Sequence, residues 1–168
     1  MVGRSNVGKS SLINALTRQR LARTSAEPGK TRLANIYRVQ RGAGAPFHLV
    51  DLPGYGYARR TKTPETTTFE ALTQAYFSRE EATGLLLVDT RHPGLENDRA
   101  AWQWLRAAAP AAIVGTKIDK LPRGQRIRAL RQLESVFEDT VLPVSAVTGE
   151  GLDELWKLID RLANSRQP

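Results

Sequence analysis

The segment Gly3-Arg4-Ser5-Asn6-Val7-Gly8-Lys9-Ser10 constrains this chain more than any other part of it. It fits G-x-x-x-x-G-K-S, a pattern whose glycines let the backbone curl until its N–H groups converge on phosphate oxygens. A helix starting near Lys9 would add its positive end to the same point, with Ser11 next in line. In that arrangement Lys9 reaches the β- and γ-phosphates, and Ser10 offers its hydroxyl to Mg²⁺, which prefers oxygen ligands. Such a loop must follow a strand and open a helix. A glycine turn before a helix also matches by chance, so the rest of the chain has to decide.

Apolar runs alternate with helical patterns along the chain. Residues 34–40, 46–52, 84–89, 111–116 and 141–145 read as strands, and 9–18, 66–79, 96–109, 123–138 and 151–164 as helices. The last helix is the clearest, since Leu152, Leu155, Leu158, Ile159 and Leu162 recur at helical spacing. Strands alternating with helices predict a single three-layer α/β/α domain over 1–168, with a mainly parallel central sheet. Ligands of such sheets sit at the carboxyl ends of the strands. The first strand is nearly absent, because only Met1 and Val2 precede Gly3. The expectation is either an N-terminally truncated chain or a sheet short of a central strand, with reduced stability from the exposed edges.

Three further motifs fall at predicted strand ends. Asp51-Leu52-Pro53-Gly54 follows 47–50. Its carboxylate can hold Mg²⁺ through water, and the Gly54 N–H can sense a γ-phosphate; a plain Pro-Gly turn is the bland alternative. Thr116-Lys117-Ile118-Asp119 follows 111–114. An Asp119 carboxylate accepts two hydrogen bonds from guanine N1–H and the exocyclic amine, a donor pair that adenine lacks. The Lys117 stem can pack along the base. Val144-Ser145-Ala146 closes the strand 141–145, where backbone N–H groups can meet guanine O6. Each motif is weak alone, but their common order matches what a guanine-nucleotide site requires.

Composition narrows the rest. The chain has 168 residues, is 40% apolar and holds no cysteine, which suits a globular domain and removes disulfides and thiol chemistry. The apolar run at 85–88 falls far short of the ~20 residues of a membrane span, no secretory leader is visible, and a cytoplasmic location without a membrane partner is expected. A net charge of +8 draws polyanions such as RNA. The basic residues cluster at Arg18, Arg20, Arg23, Lys30 and Arg32, at Arg59, Arg60 and Lys62, and at Arg123, Arg126, Arg128 and Arg131. The first two groups flank the segments that would respond to a γ-phosphate. The third reads equally as a solvated face of a helix whose core side is Ile127, Leu130, Leu133 and Phe137. No aromatic-rich platform for single-stranded bases appears.

The chain resembles the EngB (YihA/YsxC) group of small bacterial GTPases. The resemblance rests on GRSNVGKSSLINAL from Gly3, ARTSAEPGKT ending at Thr31, VDLPGYGYA around Asp51, VDTR around Asp89, TKIDKL from Thr116 and GEGLDELW from Gly149. It implies a P-loop GTPase fold, GTP and GDP as ligands, and a role in assembling the large ribosomal subunit as a monomer bound to ribosomal RNA or large-subunit particles. Carried over, Thr31 joins Ser10 on Mg²⁺ in the GTP state. Gly29, Lys30, Thr31, Arg32 and Leu33 form a first switch, and Asp51 to Gly54 begin a second. Lys9, Thr31 and Gly54 become the residues closest to the chemistry. The chain departs from the group in the missing N-terminal extension and in the Thr-rich stretch 61–68 before Phe69.

Many GTPases carry a water-orienting glutamine just after D-x-x-G. Here that residue is Tyr55, so slow intrinsic turnover is expected. Asn6 is a candidate K⁺ ligand, since similar GTPases with asparagine there bind K⁺. The rival readings are a non-hydrolysing, RNA-associated nucleotide scaffold and a related GTPase acting elsewhere, as in cell division. The Asp89, Arg91 and Asp98 cluster reads as local ion pairing, and Trp156 as partly core.

Overall fold

The run Leu85-Leu86-Leu87-Val88 is apolar without alternation, which suits a strand covered on both faces. It forms the centre of β4 (Gly84–Asp89), buried at every residue. In the computed structural model, which describes residues 1–22, 24, 34–42, 44–55, 73–79 and 81–164, β4 is the middle of the sheet. It pairs in parallel with β1 (Val2–Gly3), Val2 opposite Leu86 and Gly3 opposite Leu87. On its other side lies β5 (Ala111–Thr116), followed by β6 (Val141–Pro143), both parallel. The remaining strands, β2 (Asn35–Val39) and β3 (Phe47–Asp51), form an antiparallel pair.

The hairpin is not detached. The Met1 nitrogen donates to the Val50 carbonyl at 2.6 Å, and the Leu52 N–H donates to the Met1 carbonyl at 3.4 Å. An isolated parallel bridge between Arg4 and Tyr55 continues the line. β3 therefore lies beside β1, and the short first strand occupies the centre between β3 and β4. The concern about a missing central strand resolves this way: two strand residues and Met1 fill the position, and Val2 is buried. The sheet is parallel except for β2.

Successive residues of a strand point to opposite faces, and the two faces carry two different cores. Leu85, Leu87 and Val114 pack with Leu12, Ile13 and Leu16 of α1 (Lys9–Thr17) and with Leu155, Trp156 and Ile159 of α4 (Leu152–Asn164). Leu86, Val88 and Ile113 pack with Trp102 and Leu105 of α2 (Glu96–Ala108) and with Leu133 and Phe137 of α3 (Arg123–Phe137). This is the three-layer α/β/α arrangement expected from the alternating pattern. Element ends differ from expectation by one or two residues. Of the expected helix 66–79, residues 73–77 are helical, and 66–72 lie outside the described residues. Ile127, expected on the core side of α3, is 46% exposed. Among the described residues no helix is long and apolar enough to cross a membrane.

Candidate nucleotide site

β1 delivers the chain into the loop 3–10 at the carboxyl edge of the sheet, beside the ends of β3, β4 and β5. Asn6 turns with φ 62° and Gly8 with φ 110°, a region that asparagine tolerates and glycine adopts freely. Gly8 caps α1, whose first turn holds no acidic residue. The positive end of that helix thus faces the loop with no acidic residue of its own first turn against it. Lys9 is buried, and its ammonium donates to the carbonyls of Gly3 at 3.0 Å and Arg4 at 3.1 Å. Burial lowers its pKa from 10.5 to about 8, against the opposing pull of Asp51.

Ser10 and Asp51 meet although they lie 41 residues apart. The Ser10 hydroxyl donates to Asp51 Oδ2 at 2.8 Å. Asp51 is 1% exposed, and its other oxygen, Oδ1, is buried with no hydrogen-bond partner among the described residues. A buried, unpaired carboxylate oxygen is costly unless something positive completes it. With the Ser10 hydroxyl alongside, it is an all-oxygen donor set that fits Mg²⁺. Among the described residues no cluster of three or more His, Cys, Asp or Glu side chains competes for a metal. Gly54 stands against the phosphate loop so tightly that a Cβ there would come within 2.5 Å of the Ser5 nitrogen. The Ser5 N–H also donates to the Tyr55 carbonyl at 3.3 Å.

The side expected to read the base is built from β5 and the loop after β6. Thr116 is buried, and its hydroxyl lies 2.8 Å from the Val7 carbonyl and 3.1 Å from that of Val88, tying β5 to the phosphate loop. Lys117, at φ 62°, donates to the Asn6 carbonyl and to Asp89 Oδ2 at 3.0 Å. Ile118 is fully buried, which fixes the 3₁₀ turn Ile118–Lys120 that carries Asp119. The Ser145 hydroxyl donates to Asp119 Oδ1 at 2.7 Å and accepts the N–H groups of Val147 at 3.2 Å and Thr148 at 3.1 Å. Burial pushes the Asp119 carboxyl up, but the bonds from Ser145 and Lys120 outweigh it and hold it below the usual range. Val144 and Ser145 are buried and Ala146 half-buried. The Ser145 N–H is committed to the Glu150 carbonyl at 2.9 Å. Ala146 is therefore the residue of that pair whose N–H suits a guanine oxygen.

The expected triplet of Asp89, Arg91 and Asp98 divides in two. Asp89 takes both Arg91 and Lys117. Burial would raise its carboxyl, but the bonds from Arg91 and Lys117 win and hold it well below the usual carboxylate range. Asp98 instead accepts the Tyr55 hydroxyl at 2.8 Å and pairs with Arg4 at 3.5 Å. Neither link showed in the sequence, because both partners of Asp98 come from distant loops. Gly29, Lys30, Thr31, Arg32 and Leu33, along with Arg23, Arg59, Arg60 and Lys62, lie outside the described residues.

A family model described as "50S ribosome-binding GTPase" matches residues 1–117. The chain is 42% identical over 168 residues to "Probable GTP-binding protein EngB" of Thermotoga maritima, covering 96% of this chain and 84% of that protein. The protein of the same description from Thermosipho africanus is 39% identical over 165 residues, covering 95% and 82%. Among solved structures, Era in complex with MgGDPNP and nucleotides 1506–1542 of 16S ribosomal RNA superposes with a TM-score of 0.82 at 23% identity. That match covers 96% of this chain and 54% of the Era chain, about half its length. A probable GTP-binding protein engB gives 0.72 at 22% identity, covering 98% and 97%. NFeoB from S. thermophilus bound to GDP.AlF4- and K+ gives 0.71 at 24%, covering 99% and 62%. At these identities the structures speak for the fold, while the family model and the sequence relatives speak for descent. With its phosphate loop, its Ser10–Asp51 pair and its braced Asp119 on a P-loop GTPase fold, this chain belongs to the EngB family of GTP-binding proteins and is a GTPase.

Proposed function

We propose that this GTPase is a slow, Mg²⁺-dependent switch that assists assembly of the large ribosomal subunit. The observation that carries the switch is the buried, half-satisfied Asp51, held by Ser10 and set on the same short loop as Gly54. Mg²⁺ would be held by Ser10 and, through water, by Asp51, and would supply charge neutralisation to the phosphates. Lys9 leaves the Gly3 and Arg4 carbonyls for the phosphates, and the loop N–H groups fix the phosphate chain. The N–H of Gly54 registers the γ-phosphate, joined by Thr31 of the first switch. Asp119 reads N1–H and the exocyclic amine of guanine, Ala146 reads O6, and the Lys117 stem lies along the ring. Tyr55 offers no amide to orient water, so intrinsic turnover is slow. Asn6 is exposed on the loop rim, where a K⁺ ion could share the charge developing between the phosphates.

The partner reading rests on charge and kinship. The net charge is +8, and Arg18, Arg20, Arg123, Arg128 and Arg131 are exposed. Such a surface suits the phosphate backbone of ribosomal RNA, with affinity that falls as salt rises. The test is GTP turnover in K⁺ and in Na⁺, with and without large-subunit particles, together with particle binding under GTP and GDP analogues. Turnover that rises with K⁺ or particles, and tighter particle binding in one nucleotide state, is expected. Equal turnover throughout and equal affinity in both states would sink the proposal.

A further inference from the structure

Asp98 sits in the first turn of α2, 1% exposed, on a helix otherwise committed to the apolar core through Trp102 and Leu105. A carboxylate buried there is expensive unless it is paired, and burial does push its carboxyl up. The positive end of α2 favours the charged form. Among the described residues its side chain is held by two loops, the phosphate loop and the segment beside it. Arg4 is the second residue of the phosphate loop, and Tyr55 directly follows Gly54. The Tyr55 phenol is in turn held well above its ordinary pKa, by burial first and then by Asp98, so it stays a donor.

The same two residues are also joined through the backbone, by the Arg4–Tyr55 bridge and the bond from the Ser5 N–H to the Tyr55 carbonyl. Between them Gly54 lies so close to Ser5 that no side chain fits. The bridge, the Ser5–Tyr55 bond and the close approach of Gly54 therefore press the Gly54-Tyr55 segment onto the phosphate loop, and Asp98 adds a tie from a different layer of the protein.

We propose that Asp98 is a positioning residue for γ-phosphate recognition: it latches Tyr55 and Arg4 together and so sets where Gly54 stands relative to the phosphate loop. This deepens the GTPase reading and rests on it. The latch acts through Gly54, the group that meets the γ-phosphate, whereas the base is read by Asp119. Asp98 touches no reacting atom. It works through Tyr55, whose hydroxyl donates to it.

The test compares wild type with Asp98→Ala, Tyr55→Phe and the double variant. In each variant kcat for GTP is expected to fall by about tenfold, the scale of a small misplacement at a reacting centre. Affinity for a non-hydrolysable GTP analogue falls by about fivefold relative to that for GDP, while GDP affinity itself holds. The double variant is no worse than Asp98→Ala, because that variant has already lost the bond from the Tyr55 hydroxyl. Tyr55→Phe deletes a single oxygen and keeps the test open if Asp98→Ala fails to fold. An unchanged kcat, additive losses, or GDP affinity falling in step with that of the analogue overturns the latch. A wild-type chain without turnover would refute the GTPase reading instead, and the analogue-to-GDP ratio would still read the latch.

Discussion

Lys9 is the residue whose ionisation the fold alters most usefully. Its pKa drops from 10.5 to about 8 in the folded chain, so between those values the unfolded chain binds more protons. Stability therefore rises with pH through that window, and the cost of charging the buried amine is fully present below about 8. Phosphate oxygens reverse the situation by favouring the charged form. GDP binding at pH 8 should then take up about half a proton, given a free-protein pKa of about 8. Calorimetric titration in two buffers of different ionisation enthalpy measures it, and affinity should be weaker at pH 9 than at pH 7. No uptake at pH 8 would remove Lys9 from the phosphates. Asp119 makes a second residue-scale case. Asp119→Ala deletes two hydrogen bonds to a charged acceptor and should weaken GDP binding about a hundredfold. Weak ADP binding should not change, since adenine never used that carboxylate. Equal losses for both nucleotides would mean the residue supports the fold instead.

At the scale of elements, the base-reading side depends on one hydroxyl. Ser145 is fully buried between β6 and α4, yet it reaches across to Asp119 and gathers two N–H groups of the following turn. Ser145→Ala should weaken GDP binding by about fivefold, the worth of one hydrogen bond near 1 kcal/mol, as read by equilibrium titration. An unchanged affinity would show that Asp119 is held by Ile118 and Lys120 alone. The sequence placed Ser145 correctly at a strand end, because strand-ending motifs are local. It did not disclose that the Ser145 N–H is taken by Glu150, since a loop closing on itself is set by backbone geometry. The same limit explains Ile127. Helical spacing puts it in line with Leu130 and Leu133, but α3 buries its C-terminal half more deeply than its start.

For the whole molecule, β4 and β5 are the rigid centre, sandwiched between both cores and paired along their full length. Amides there should open only with global unfolding, whereas β2 (an outer strand with exposed residues) should open earlier. Hydrogen exchange read by mass spectrometry should leave peptides covering 84–89 and 111–116 protected longest. Earlier exchange there than in 35–39 would contradict the layered core. Lys9, Ser10, Asp51, Asp119 and Ser145 stand at or just beyond the carboxyl ends of β1, β3, β5 and β6, so the stiffness of the sheet becomes precision in their placement.

Short motifs in the amino-acid sequence were enough to read this chain as a GTPase. Gly3 to Ser10, Asp51 to Gly54, Thr116 to Asp119 and Ser145-Ala146 are short local patterns, and local patterns are carried by neighbouring residues. Strand and helix periods, also local, determined the α/β class. What distant residues do to one another became visible in the folded chain alone. The fold made two strand residues serve as a central strand, because hydrogen bonds from Met1 and pairing to Leu86 and Leu87 come from other parts of the chain. It split Asp89 from Asp98, which lie nine residues apart in sequence and serve different loops. Partner choice for a buried charge follows from whichever loops the packed layers bring alongside, and no spacing within the sequence encodes that.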